Sequence, residues 1–128
     1  MLIFKNKAFT RFARKARIGD AALCEVIMDA EQGLIAADLG GGVIKQRVAR
    51  PGQGKSGGFR TLIVFRAGER AFFVHGFAKN EKDNIDKGEL SALRKLASEL
   101  MAYDDKAITR AIGSGTLIEV MCNEKTIP

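Results

Sequence analysis

Two cations one residue apart, Lys45 and Arg47 in the run Val43-Ile44-Lys45-Gln46-Arg47-Val48-Ala49, suggest anion chemistry if that run is extended. In a strand alternate side chains share a face, so Val43, Lys45, Arg47 and Ala49 project one way and Ile44, Gln46 and Val48 the other. Arg60 opens the next apolar run and Lys79 closes the one after it. An antiparallel arrangement would bring both towards the same part of a sheet. Between Lys45 and Arg70 stand Lys45, Arg47, Arg50, Lys55, Arg60, Arg66 and Arg70, against the single acid Glu69. A solvated surface mixes both signs, so this block reads as an anion-binding region, with Arg50, Lys55, Arg66 and Arg70 as candidate substrate-binding contacts.

Within it, Arg50-Pro51-Gly52-Gln53-Gly54-Lys55-Ser56-Gly57-Gly58-Phe59-Arg60 contains a Gly-Lys-Ser that resembles a nucleotide-binding phosphate loop. Such a loop needs glycine five residues before the Gly-Lys pair and a helix immediately after it. Ala49 occupies the glycine position, and Thr61-Leu62-Ile63-Val64-Phe65, a β-rich run, follows where the helix belongs. The nucleotide-binding reading fails on both counts. What remains is a basic, glycine-rich connection between two strands of one sheet.

His75 is the only histidine and so a candidate acid–base group. It lies in Ala71-Phe72-Phe73-Val74-His75-Gly76-Phe77, where strict alternation groups it with Phe73 and Phe77; a core role and a catalytic role both fit that setting. Phe59, Phe65 and Phe72 likewise suit either a core or a base-stacking position.

The elements that position these groups follow from periodicity. Phe4, Ala8, Phe9, Phe12, Ala13 and Ala16 recur at helical spacing among Lys5, Lys7, Arg11, Arg14, Lys15 and Arg17, predicting a basic amphipathic helix. Its charged side suits RNA or an acidic protein segment as well as plain solvent. After Gly19, with Asp20 as the expected cap, Ala21 to Ala30 predict a second helix ended by Gly33. No strand is expected before these two helices. Gly40-Gly41-Gly42 predicts a turn, and the runs 43–49, 61–65 and 71–77 predict strands, the last two joined as a hairpin through Arg66 to Arg70. Asp86 with Glu89 three residues on signals a capped third helix containing Leu90, Leu93, Leu96, Ala97, Leu100 and Met101. A short helical turn over 106–112 and a strand over 116–121 complete the order. The expected fold class is α+β: two N-terminal helices packed on a mostly antiparallel, about four-stranded sheet, with a further helix after the third strand.

The 128 residues, 46% hydrophobic, are expected to form one domain, 1–128. A net charge of +6, with pI near 9.6, favours an anionic partner. Cys24 and Cys122 show neither disulfide-framework nor metal-site spacing, so reduced thiols are expected. Lacking a signal-like h-region or a run of about 18 apolar residues, the protein is expected to be cytoplasmic, with no membrane partner.

The block LGGGVIKQRVARPGQGKSGGFRTLIVFRAGERAFFVHGFAKNEKDNI, with the flanks FKNKAFTRFARKARI, AADLGGG and ELSALRKLASELM, resembles RelE/HigB-type toxins of bacterial toxin–antitoxin modules. The resemblance runs from about Phe4 to Met101. It implies a microbial-ribonuclease-like α+β fold, an endoribonuclease that cuts mRNA on the ribosome without cofactor or metal, and a neutralising antitoxin, for which a helix-turn-helix protein is one expectation. The family pattern assigns catalysis to Lys45 and Arg47 in VIKQRV, Arg60 in GGFR and Lys79 in FAKNE. A tyrosine that some relatives place just beyond the last of these is missing, Ile85 and Asp86 standing in that neighbourhood; Tyr103 is further along. A catalytically silent binding module and a ParE-like gyrase poison are the alternatives on the same fold.

Overall fold

The computed structural model describes residues 1–49, 58–79 and 85–122. Arg50 and Lys55, two of the expected substrate contacts, lie outside the described residues. The chain runs β1 (Leu2–Asn6), α1 (Lys7–Ala16), α2 (Asp20–Glu31), β2 (Ala37–Gly40), β3 (Val43–Val48), β4 (Phe59–Arg66), β5 (Arg70–Ala78), α3 (Lys87–Met101), α4 (Asp105–Gly113) and β6 (Leu117–Glu119). The strands form one sheet in the order β2-β3-β4-β5-β1-β6, antiparallel throughout except for the parallel pair β1 and β5.

The α+β class and the β4–β5 hairpin stand, but the sheet has six strands rather than about four. Among the described residues there are four helices, and α3 follows the fifth strand in chain order. The largest correction is β1, because a strand precedes the first helix. Phe4, counted above with the helical band, instead pairs with Phe72 and packs in the core on one sheet face, whereas Phe9 packs in the core on the other. Leu2 to Lys5 pair with Arg70 to Phe73, and Phe4 to Asn6 with Glu119 to Leu117, so the contacts that make this segment a strand are long-range on both sides. No local pattern announces it.

Both sheet faces are covered. Side chains of α1 and α2 pack with Ile44, Val48, Phe59, Ile63 and Phe73, while α3 and α4 pack with Val43, Leu62, Val64, Phe72 and Leu117. Burial on two sides explains why β4 reads as a continuous apolar run instead of an alternating one. The tight turn into β3 is made by Gly41 and Gly42, at φ 64° and 85°, the pair of left-handed residues that a two-residue hairpin requires. Against this turn lie Arg94 of α3, whose guanidinium donates to the Leu39 carbonyl, and Met101.

Asp86 caps α3 with Glu89 in a reciprocal capping box, as its spacing predicts. Asp20 does not act as a cap: Gly19 is the capping position of α2, and the Asp20 carboxylate accepts from Lys5 Nζ and from the Met121 N–H, each at 3.0 Å. The thiols also differ from expectation. Cys24 and Cys122 form a disulfide, brought together because α2 and the chain beyond β6 cover the same sheet face. A separation of 98 residues left no spacing signal to read.

Between the pairs Leu62–His75 and Ile63–Phe73 the β4–β5 register slips, leaving Val74 as an extra residue. Asn6 anchors this bulge. Its side-chain amide donates to the Val74 carbonyl at 3.3 Å, and its side-chain oxygen caps α1 by accepting from the Phe9 N–H at 2.8 Å. Asn6→Ala removes the cap and the bulge contact together, so unfolding free energy should fall by about 1–2 kcal/mol. Chemical denaturation would read this as a lower midpoint at unchanged slope.

Candidate functional site

The β3–β4–β5 register sets where the cations stand. Arg47 pairs with Arg60, Lys45 with Leu62, Arg60 with Phe77 and Leu62 with His75. Directly paired residues share a sheet face, so Lys45, Arg47, Arg60, His75 and Phe77 all belong to the face that carries α3 and α4. Lys79 continues the alternation of β5 past Phe77 and Ala78, and its backbone N–H donates to the Gly58 carbonyl beside Arg60. The four residues assigned to catalysis therefore gather at one end of three adjacent strands.

Their environments differ. Arg47 and Lys79 are exposed and Lys45 is half-buried. Arg60 is only 6% exposed; its Nη1 donates to the Phe59 carbonyl at 3.5 Å, a long bond among the interactions that this guanidinium makes. Arg60 thus supplies fixed charge from beneath the surface, and the groups open to a ligand are Arg47, Lys79 and part of Lys45. Arg47 also sits where β2 has ended, since the last β2–β3 pair is Ala37–Lys45. It therefore borders a cleft of about 480 Å³ between β3 and α2, lined also by Asp29, Leu34 and Gln46. Buried Gln46 on the opposite strand face accepts from the Ala36 N–H and donates to the Leu34 carbonyl, tying the chain after α2 to β3 and holding that edge in place.

His75 is the residue that sequence reasoning misplaced in part. Alternation grouped it with Phe73, but the extra residue at Val74 sends Phe73 to the α1–α2 core and leaves His75 with Arg60 and Phe77. His75 is half-buried, its ring 5.9 Å from that of Phe77. A bulge anchored by a distant asparagine leaves no mark in the local sequence, so only the singularity of this histidine drew notice to it.

The structure does not bring Arg66 and Arg70 to this site. They pair with each other at the opposite end of the β4–β5 hairpin, roughly 20 Å from Arg60 at the rise of an extended chain. Arg66 meets Glu69 at 3.7 Å, while Arg70 donates to Asp105 at 2.9 Å and to the Tyr103 carbonyl at 2.6 Å. Their charges serve the hairpin end and the start of α4. Tyr103 stands there too, away from the cation cluster. Among the described residues no group of three or more His, Cys, Asp or Glu side chains is placed to hold a metal ion, and no helix is long and apolar enough to cross a membrane.

Comparison with protein families gives a match over residues 1–120 to the model described as the RelE toxin of the RelE / RelB toxin–antitoxin system. The chain belongs to the RelE toxin family. This accords with the resemblance drawn from the central block and extends it through β1 and to Val120. No curated protein and no solved structure matches the chain. Membership in this family is consistent with translation-inhibiting toxin function in general and implies partnership within a toxin–antitoxin module. Fold and membership leave the chemistry to the side chains at the site.

Proposed function

We propose that this RelE-family toxin is an endoribonuclease that cleaves mRNA on the ribosome, using the cation cluster at the ends of β3, β4 and β5. The observation that carries the reading is the direct cross-strand pairing of Arg47 with Arg60. Like charges placed opposite each other destabilise a sheet, and Arg47, the exposed member of the pair, carries its charge at the surface. Two guanidinium groups held side by side on adjacent strands suit a site that receives an anion.

Cleavage requires the 2′-hydroxyl in line with the adjacent phosphate, stabilisation of the negative phosphorane, and protonation of the departing 5′-oxygen. Arg47 offers a planar guanidinium to the nonbridging oxygens. Arg60, beneath it, adds charge that burial shields from solvent screening. Lys45, half-buried beside them, is placed to receive the 2′-hydroxyl proton, and Lys79 or His75 to deliver one to the 5′-oxygen. The P–O5′ bond breaks as the O2′–P bond forms, leaving a cyclic phosphate on the upstream fragment. Phe77, only 8% exposed, packs beside His75 at a ring distance of 5.9 Å rather than presenting a face to a base.

Exposed Lys7, Arg11, Arg14 and Lys15 fall within about a 100° arc of α1, on the other side of the sheet. A stripe of cations without apolar anchors suits a phosphate backbone better than a protein interface, which fits docking against ribosomal RNA.

The test is cleavage of a ribosome-bound mRNA by the wild type and by Arg60→Ala and Lys79→Ala. Loss of cutting by folded variants supports the enzyme; a wild type that binds ribosomes without cutting favours a silent binding module. His75→Ala separates the two roles open to this residue: we expect cleavage to fall about 10²-fold, within the usual range for a lost acid–base group. Near-full activity with a lowered melting temperature would make it structural. A neighbouring reading frame encoding a small helix-turn-helix protein would identify the antitoxin class.

A further inference from the structure

Cys24, in the middle of α2, is bonded to Cys122, three residues beyond the end of β6, with Cα atoms 5.7 Å apart. They are the only cysteines in the chain, so no alternative pairing competes. The core beneath α3 and α4 contains neither residue, and the core beneath α1 and α2 holds many buried aliphatic and aromatic side chains besides Cys24. The bond is therefore not what creates the fold.

What it does hold is the last piece of the sheet. β6 is three residues long, pairs with β1 alone and forms the sheet edge. Beyond it the chain is fixed by the Val120 N–H to the Ile3 carbonyl at 2.8 Å, the Met121 N–H to Asp20 at 3.0 Å, burial of Val120, and the disulfide. Ile118 and Met121 point outward, 37% and 65% exposed. Cys24 is buried and Cys122 half-buried, so Cys122 is the more accessible partner. A three-residue edge strand, anchored by one buried side chain on each sheet face, Leu117 and Val120, and by a covalent tie, is the part of this sheet expected to open first when the tie is cut.

We propose that Cys24 and Cys122 form a reversible thiol–disulfide clasp, and that its reduction releases the chain from Leu117 to Cys122 from β1, leaving β1 as the sheet edge. The reductant is a low-molecular-weight thiol such as glutathione. Its thiolate attacks one sulfur, the S–S bond breaks to give a mixed disulfide, and a second thiolate displaces the protein sulfur. The protein gains two electrons and two protons, and two glutathione molecules leave as glutathione disulfide; the reverse exchange closes the clasp.

Hydrogen exchange of the full chain, measured in oxidised glutathione and in excess dithiol with thiols counted by alkylation and intact mass, tests this. The oxidised form should be lighter by two hydrogens. On reduction, exchange over 117–122 and 2–6 should rise at least tenfold while β3, β4 and β5 keep their protection. Cys122→Ser, a substitution at the more exposed partner, should reproduce the reduced pattern under oxidising conditions. Two free thiols persisting in oxidised glutathione, unchanged exchange on reduction, or loss of protection across the whole sheet would each overturn the proposal. None of these readouts depends on ribonuclease activity.

Discussion

Arg47→Ala is expected to lower the rate of ribosome-bound mRNA cleavage about 10²–10³-fold, the range seen when a preorganised donor to a developing anion is removed. Its effect on stability should have the opposite character. Arg47 is exposed and directly opposite Arg60, so deleting it removes a repulsion and no buried contact. The melting temperature should stay the same or rise by about 1–3 °C. Arg60→Ala should also abolish cutting, but this side chain is buried and its interactions are lost with it, so stability should fall by about 1–3 kcal/mol. Arg60→Lys keeps the charge while losing the planar fork; it should recover part of the stability and little of the cleavage. Single-turnover cleavage and thermal unfolding, measured on the same preparations, check both halves. Arg47→Ala retaining near-wild-type cleavage would remove this arginine from the site.

Gly76→Ala should destabilise the protein by about 1–3 kcal/mol, the usual cost of overpacking a core. Gly76 follows His75 in β5 and faces α1. A Cβ there would stand 2.4 Å and 2.5 Å from two ring carbons of Phe12. That ring has little freedom to retreat, since its centroid lies 5.6 Å from those of both Phe9 and Phe59. Either α1 lifts from the sheet or β5 shifts beneath it, and a shift in β5 moves His75 and Phe77. Cleavage should therefore fall along with stability. Phe12→Leu in the Gly76→Ala background relieves the clash, so a double-mutant cycle should give a coupling of about 1 kcal/mol or more. Additive effects would place the cost elsewhere than in this contact.

Much of the candidate site's geometry was legible in the sequence, for a simple reason. Strand alternation has a period of two, so Lys45 and Arg47 had to share a face once VIKQRV was read as extended, and the buried Ile44, Gln46 and Val48 agree. The β4–β5 hairpin and the capped third helix were equally local, because a turn or a cap is written in residues a few positions apart. The resemblance to RelE toxins rested on such local runs, and the family match covers them.

Long-range pairing decided the rest. The β1–β5 ladder, the disulfide between Cys24 and Cys122 and the Asn6 contact with Val74 join positions separated by between 68 and 98 residues, where no spacing rule applies. Register, too, is a property of two strands at once: it set Arg47 opposite Arg60, sent Arg66 and Arg70 to the far end, and let one extra residue at Val74 turn His75 away from Phe73. The amino-acid order by itself determined which side chains carry charge and which faces of their own elements they occupy. Which of those faces meet depends on packing free energy summed over the whole sheet, so only the tertiary structure decided it.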